Sequence, residues 1–404
     1  MKKLSLGLTE ALTITLENCR PLGMETIALA DSTDRIAASD LHALVDSPSA
    51  DSSLKDGYAV RSREICNATQ ENPVRLRLAG RMAPGGTTTV DVEPGMTVRV
   101  LTGAKIPSGA DAVLTEEFTR PDGSDVLAMN VAEPGRNILF RGEDVESRSR
   151  IVEKGRQISP GLLGLIAAAG HSTVPVFRTP TVAIIGTGDE IVLPGETLAE
   201  GKLYASNILT INAWCRRYRM KTVLTVVNDD INTLTETFRM LSADADALIT
   251  SGGAWTGDRD FTAQVLEGLG WHQYFHRIRI GPGKAVGFGM LCTKPVFILP
   301  GGPSSNLMGF LQIALPGLLA LAGHAETDLP RINARLATDL EGRQRDWTNF
   351  FFGRLEDGGE FPIFHSLKDS SRLRAIADAD AIACIAEGQG VLAKGSVVPV
   401  QVLK

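Results

Sequence analysis

Between residues 181 and 321 short β-branched apolar runs alternate with amphipathic stretches, and this alternation limits the possible folds more than any other feature of the chain. Runs at 181–185, 222–227, 247–250, 277–280, 286–291 and 296–299 read as strands; stretches at 206–217, 231–241, from about 261 and from 304 read as helices. Strands that alternate with helices fold as a parallel sheet flanked by helices. Such sheets bind ligands beyond the carboxyl ends of their strands, so the residues after each run carry the most weight. Here they are small, polar or charged: Gly186-Thr187-Gly188-Asp189-Glu190, Asn228-Asp229-Asp230, Ser251-Gly252-Gly253 through Asp258-Arg259-Asp260, Gly281-Pro282-Gly283-Lys284 and Pro300-Gly301-Gly302-Pro303. Five strand ends are expected to converge on one crevice.

The flanking segments differ in character. Leu8, Ala11, Leu12, Ile14 and Leu16 suit one helix face, and 31–39 suits the start of a second helix. From 51 to 144 short runs at 74–78, 97–101, 112–114 and 125–131 are separated by Gly and Pro clusters, the pattern of a small β domain. Helical character returns at 161–169, and strand-like runs recur at 332–336, 349–355, 381–385 and 397–402. The expected organisation is α/β plus β in an elongated multidomain chain. Residues 1–50 and 145–178 form a mixed α/β domain, 51–144 an inserted β domain, 179–326 a ligand-binding α/β domain and 327–404 a β barrel.

Length, charge and cysteine usage exclude several classes. The 404 residues carry a formal charge of −6 and show no basic patch, so no nucleic-acid partner is expected. No apolar stretch reaches the ~20 residues of a bilayer span, and Pro316 and Gly317 interrupt the longest, so no membrane partner is expected either. The five cysteines form no CxxC pair, which suits reduced thiols and a cytoplasmic location. The six histidines show no zinc spacing, although His272 and His276 lie four apart.

Gly186-Thr187-Gly188 lacks the third glycine of a dinucleotide fingerprint, and Asp189 and Glu190 would repel a pyrophosphate. Carboxylates beside a glycine loop make sense when Mg²⁺ lies between them and a phosphate. Asp229-Asp230 reads equally as a helix cap or as further metal ligands. Ser251-Gly252-Gly253 can offer backbone N–H groups to an anion, and Lys284 can neutralise one. In the β segment, loops around Asp56, Thr102 and Asp144 would each pass as turns if taken alone.

Taken together, Asp56-Gly57-Tyr58-Ala59, Leu101-Thr102-Gly103-Ala104, Gly142-Glu143-Asp144, Gly186-Thr187-Gly188-Asp189-Glu190, Ser251-Gly252-Gly253, Pro282-Gly283-Lys284 and Pro300-Gly301-Gly302-Pro303 resemble the motif series of the MoeA family of molybdopterin molybdenumtransferases, related to the gephyrin E domain. The resemblance implies a homodimer with the active site at the subunit interface, and insertion of molybdate into adenylylated molybdopterin with Mg²⁺ and release of AMP. It implies catalytic roles for Asp56, Thr102, Glu116, Asp144, Glu190, Asp260 and Lys284. Gly186, Thr187, Gly188, Ser251, Gly252, Gly253, Asp258, Pro300, Gly301, Pro303, Ser370 and Ser371 would bind the cofactor, and Asp189, Glu190 and Asp229 the metal. Asp56, Thr102, Glu116 and Asp144 would face the α/β domain of the partner. Other cofactor-biosynthesis proteins and molybdoenzyme chaperones are the further partners implied. The chain departs from the family pattern at Leu139 and Phe140, where arginines are common, at Gly281 for a second lysine, at Gly302 for an asparagine, and at Trp255-Thr256. Two alternatives stay open: a weakened paralogue that carries or scaffolds molybdopterin or its nucleotide, and insertion of tungstate.

Overall fold

The structure, a computed structural model, describes residues 6–86, 90–253, 261–368 and 371–404. Its centre is a six-stranded sheet in the order Lys221–Val227, Thr181–Thr187, Ala247–Ser251, Lys294–Leu299, Gly287–Leu291, Trp271–His276. The first four strands run parallel, Gly287–Leu291 runs antiparallel to both its neighbours, and the edge strand Trp271–His276 therefore points the same way as the first four. Val182, Ala183, Ile184 and Ile185 are all fully buried, the continuous apolar run of a strand covered on both faces. Helix Ser206–Arg217 buries Ile208, Ile211 and Cys215, and helix Ile231–Asp244 buries Leu234, Phe238 and Leu241, the spacing of a single helix face.

Two sequence expectations are corrected here. Residues 277–280 are not a strand of this sheet. The edge strand is Trp271–His276, Arg277 turns into the left-handed region (φ 71°), and Ile280–Gly281 pairs instead with Thr348–Asn349 near the C-terminus. The alternating run is consumed by a closed loop, in which the N–H groups of Arg277 and Ile278 donate to the carbonyls of Val286 (2.9 Å) and Lys284 (3.0 Å). The second helix expected from residue 31 is absent. Only a short turn, Leu29–Asp31, forms there, because Ile36 and Ala37 are drawn into bridges with Gln157 and Val176.

The apolar helix Pro303–Leu321 runs through Pro316 and Gly317 and is almost wholly buried. A π-helical turn over Phe310–Ala314 precedes Pro316, which then occupies the first turn of the last helical segment, where its missing N–H is not needed. A Cβ on Gly317 would lie 2.7 Å from Phe297 and 3.0 Å from Thr15, so only glycine lets helix Leu8–Asn18 and the sheet approach here.

Strand Met24–Ala28 pairs antiparallel with Thr173–Phe177, and Leu41–His42 with Arg150–Val152, so segments on both sides of the β insertion build one unit. The insertion is a six-stranded sheet in the order Ala112–Thr115, Gly57–Val60, Met96–Val100, Val74–Met82, Asp125–Ala128, Thr119–Asp122. At the C-terminus Arg331–Leu336, Val397–Val402, Ala381–Ile385, Thr348–Glu356 and Ile363–Ser366 pair in a closed ring, a five-stranded barrel. Phe350, Phe352, Ile382 and Leu403 from this barrel join the same apolar cluster as Phe297, Phe310 and Ile313, so the barrel and the α/β unit share one core.

Candidate functional site

At the carboxyl end of Thr181–Thr187 the chain turns through Gly188, whose N–H donates to Val227 O (3.2 Å), into exposed Asp189 and Glu190. Asp189 Oδ1 accepts from the N–H of Asp229 (3.1 Å), and Lys202 Nζ donates to the Asp189 carbonyl. The Glu190 carboxylate folds back over Gly188, where a Cβ would stand 2.5 Å from its Oε2. Asp189 and Glu190 therefore lie at one corner, against the backbone of Asp229. Asp230 is spent as the N-cap of helix Ile231–Asp244, its carboxylate accepting from Thr233 N–H (2.8 Å) and Thr233 Oγ1 (2.6 Å).

The neighbouring strand end opens into Gly252 and Gly253, at φ 106° and 64°. A Cβ on Gly252 would lie 2.4 Å from Thr187 O, and one on Gly253 would lie 2.2 Å from Thr262 Oγ1, so both positions demand glycine. The Thr187 and Thr262 hydroxyls are buried beside this loop without a hydrogen-bond partner among the described residues. Asn306, almost fully buried, donates through Nδ2 to Ser251 Oγ (3.0 Å) and Pro300 O (2.9 Å), while Asn207 Nδ2 donates to Gly301 O (2.7 Å). These two asparagines clamp the loop carrying Pro300, Gly301 and Pro303. Asp258 and Asp260, with Trp255, lie outside the described residues, as does Ser370.

Loop 281–284 reaches the same region by another route. Because Ile280–Gly281 is stitched to Thr348–Asn349, the loop faces the barrel across a cavity of about 430 Å³. Lys284, Ser304, Ser305, Arg343, Trp347 and Ser371 line it. The Lys284 ammonium stands 5.2 Å from the centroid of the Trp347 ring. Two cations and three hydroxyls around a cavity of this size suit a small oxyanion. Arg343 and Trp347 escaped the sequence reading; the only signal is a polar segment, Arg343-Gln344-Arg345-Asp346-Trp347, inside an otherwise β-like tail.

The remaining expected residues form a second cluster on the inserted sheet. Asp56 Oδ1 accepts from Thr102 N–H (2.7 Å) and Thr102 Oγ1 (2.8 Å), and these bonds hold its carboxyl below the usual carboxylate range. Glu116 pairs with Arg99 at 2.6 Å, and the pairing raises the affinity of that guanidinium for its proton. Asp56, Thr102, Glu116 and Asp144 are all exposed. Arg141, the one arginine beside Gly142, is engaged by Asp46 at 2.6 Å.

Among the described residues no group of three or more His, Cys, Asp or Glu side chains forms a metal site. Mg²⁺ does not require one, since it takes one or two carboxylates and completes its octahedron with phosphate oxygens and water. The exposed carboxylates of Asp189 and Glu190 fit that demand, while Asp229 meets them through its backbone N–H.

The sequence matches family models for the MoeA N-terminal region (domain I and II) over residues 6–170, a probable molybdopterin binding domain over residues 183–320 and the MoeA C-terminal region (domain IV) over residues 333–403. Molybdopterin molybdenumtransferase 2 of Mycobacterium tuberculosis (strain ATCC 25618 / H37Rv) is 30% identical over 387 residues, 94% of each chain. This chain belongs to the MoeA family. The molybdopterin molybdenumtransferase of Bacillus subtilis (strain 168) is 33% identical over 297 residues, covering 72% of this chain and 69% of that one. The crystal structure of the molybdopterin biosynthesis MoeA protein from Pyrococcus horikoshii OT3 superposes with a TM-score of 0.85 at 26% identity, covering 98% of this chain and 100% of that one. This MoeA-family chain is accordingly a transferase of molybdenum cofactor biosynthesis with a molybdopterin-binding domain.

Proposed function

We propose that this enzyme inserts molybdate into adenylylated molybdopterin, with cleavage of the phosphoanhydride and release of AMP, as the last step of cofactor assembly. The observation that carries the reading is the placement of the 430 Å³ cavity, with Lys284, Arg343 and three serines, beside the glycine loops of the parallel sheet. A dianionic tetrahedral oxyanion needs concentrated positive charge and short hydroxyl donors, and this cavity offers both. The phosphates of the nucleotide would lie along Gly186–Gly188 and Gly252–Gly253, where the missing side chains leave room for a ligand against the strand ends. Asp189 and Glu190, with Asp229, would hold Mg²⁺, which when bound neutralises pyrophosphate charge. The metal on the product is held by the dithiolene sulfurs of the pterin.

In the same reading the protein works as a homodimer in the cytoplasm. Asp56, Thr102, Glu116 and Asp144 close the cleft from the partner subunit. Their hydrogen-bond and ion-pair partners lie within the β insertion or beside it, which leaves an organised polar face available to a second chain.

The reading predicts that Lys284→Ala and Asp56→Ala each lower AMP release by about 10²-fold or more. Mixing the two inactive variants should restore activity to at most about a quarter of wild type, because half of the random dimers then carry one intact site. Mixed dimers that form and stay inactive would contradict the shared cleft. Tight nucleotide binding without AMP release by wild type would instead favour a carrier.

A further inference from the structure

We propose that Trp347 is the positioning residue for Lys284: its ring face holds the ammonium over the cavity while leaving the positive charge uncompensated. The inference rests on the oxyanion reading of this cavity given above.

A lysine ammonium sits on a flexible four-carbon stem and prefers water unless something holds it. The loop fixes only the backbone of Lys284, through the N–H of Ile278 to Lys284 O (3.0 Å) and of Val286 to Gly283 O (3.1 Å). Among the described residues that line the cavity there is no Asp or Glu; what faces the ammonium is the Trp347 ring, 5.2 Å from nitrogen to centroid.

The backbone that carries the ring is held from both sides. Asn349, 5% exposed, donates through Nδ2 to the carbonyls of Gln344 and Trp347 (2.9 Å each) and accepts the N–H of Arg343 at Oδ1 (3.2 Å). Thr348 N–H donates to Arg279 O (3.0 Å), and the ring edge reaches 3.9 Å from where a Cβ on Gly281 would stand. The backbone of Trp347 is thus fixed between loop 281–284 and the barrel, and this presents its ring to Lys284.

The choice of an aromatic face has an electrostatic consequence. A carboxylate holding Lys284 would cancel the charge an oxyanion needs, whereas a ring quadrupole attracts the cation without neutralising it. Lys284 and Arg343 therefore both present net charge to the cavity.

The test is a molybdate titration by calorimetry on the full chain, comparing wild type, Trp347→Phe, Trp347→Leu, Lys284→Ala and the Lys284→Ala/Trp347→Leu double variant. The expected result is weaker molybdate binding in Trp347→Leu by about three- to tenfold, with Trp347→Phe in between. In the Lys284→Ala background Trp347→Leu should cause no further loss. In turnover, the KM for molybdate should rise while kcat at saturating molybdate stays within about twofold. An equal loss in the Lys284→Ala background, an unchanged affinity in both Trp347 variants, or a fall in kcat with KM fixed would overturn the role. Wild type that fails to bind molybdate, or Lys284→Ala that binds as wild type does, would sink the oxyanion reading and the Trp347 role with it.

Discussion

Asn349 shows how one buried polar side chain can organise a site at a distance. Its amide serves three backbone groups of the 343–347 loop, so Asn349→Leu would leave those groups unsatisfied in a buried place. A loss of about 2–4 kcal/mol in urea unfolding is expected, together with weaker molybdate binding. Unchanged stability would mean that the loop finds other partners. Gly252, Gly253, Asp189 and Glu190 were legible from sequence because a buried strand that runs straight into glycines and carboxylates gains nothing from them in packing. Arg343, Trp347 and Asn349 were not. They reach the cavity only through the two-residue pairing of Ile280–Gly281 with Thr348–Asn349, which leaves no periodic trace in the sequence.

Among the elements, helix Pro303–Leu321 and the final strand Val397–Val402 are joined inside the shared core by a buried amide pair. Gln312 Nε2 donates to Gln401 Oε1 at 2.8 Å, from the π-helical turn to the barrel. Gln312→Leu alone strands the Gln401 amide and should cost about 2–3 kcal/mol, while Gln312→Leu with Gln401→Leu should cost clearly less than the two single changes added. Additive losses in a double-mutant cycle would show that the pair does not couple the barrel to the helix. The strands of the parallel sheet and its main helices were readable because their apolar spacing matches their burial. Residues 277–280 misled because alternation signals a strand only where the backbone stays extended, and Arg277 does not.

At the scale of the whole molecule, His324 lies where the mixed unit, the α/β unit and the barrel meet. It lines a cavity of about 540 Å³ together with Glu153, Lys154, Arg156, Glu326 and Asp328. Burial pushes its imidazole down to about 4, and its ring packs edge-on against Tyr218. The folded chain keeps His324 neutral while the unfolded chain takes up the proton near pH 6.5. Its contribution to stability is therefore full above about pH 6.5 and is lost as the pH falls toward 4. Stability should drop by roughly 2–3 kcal/mol across that window, and His324→Gln should flatten the slope. Identical slopes in urea titrations of the two proteins would remove His324 as the cause. The depressed carboxylates, such as Asp246 paired with Arg178, act at lower pH: burial raises the Asp246 carboxyl, but Arg178 and the N–H of Thr181 outweigh it, so its contribution is lost only below about pH 4. The central claim concerns the reaction itself, and the most direct measurement is AMP release from adenylylated molybdopterin by the purified full chain with Mg²⁺, with and without molybdate. Release that depends on molybdate and is lost in Lys284→Ala is the predicted result; release that is indifferent to molybdate, or absent while the nucleotide stays bound, would contradict the account.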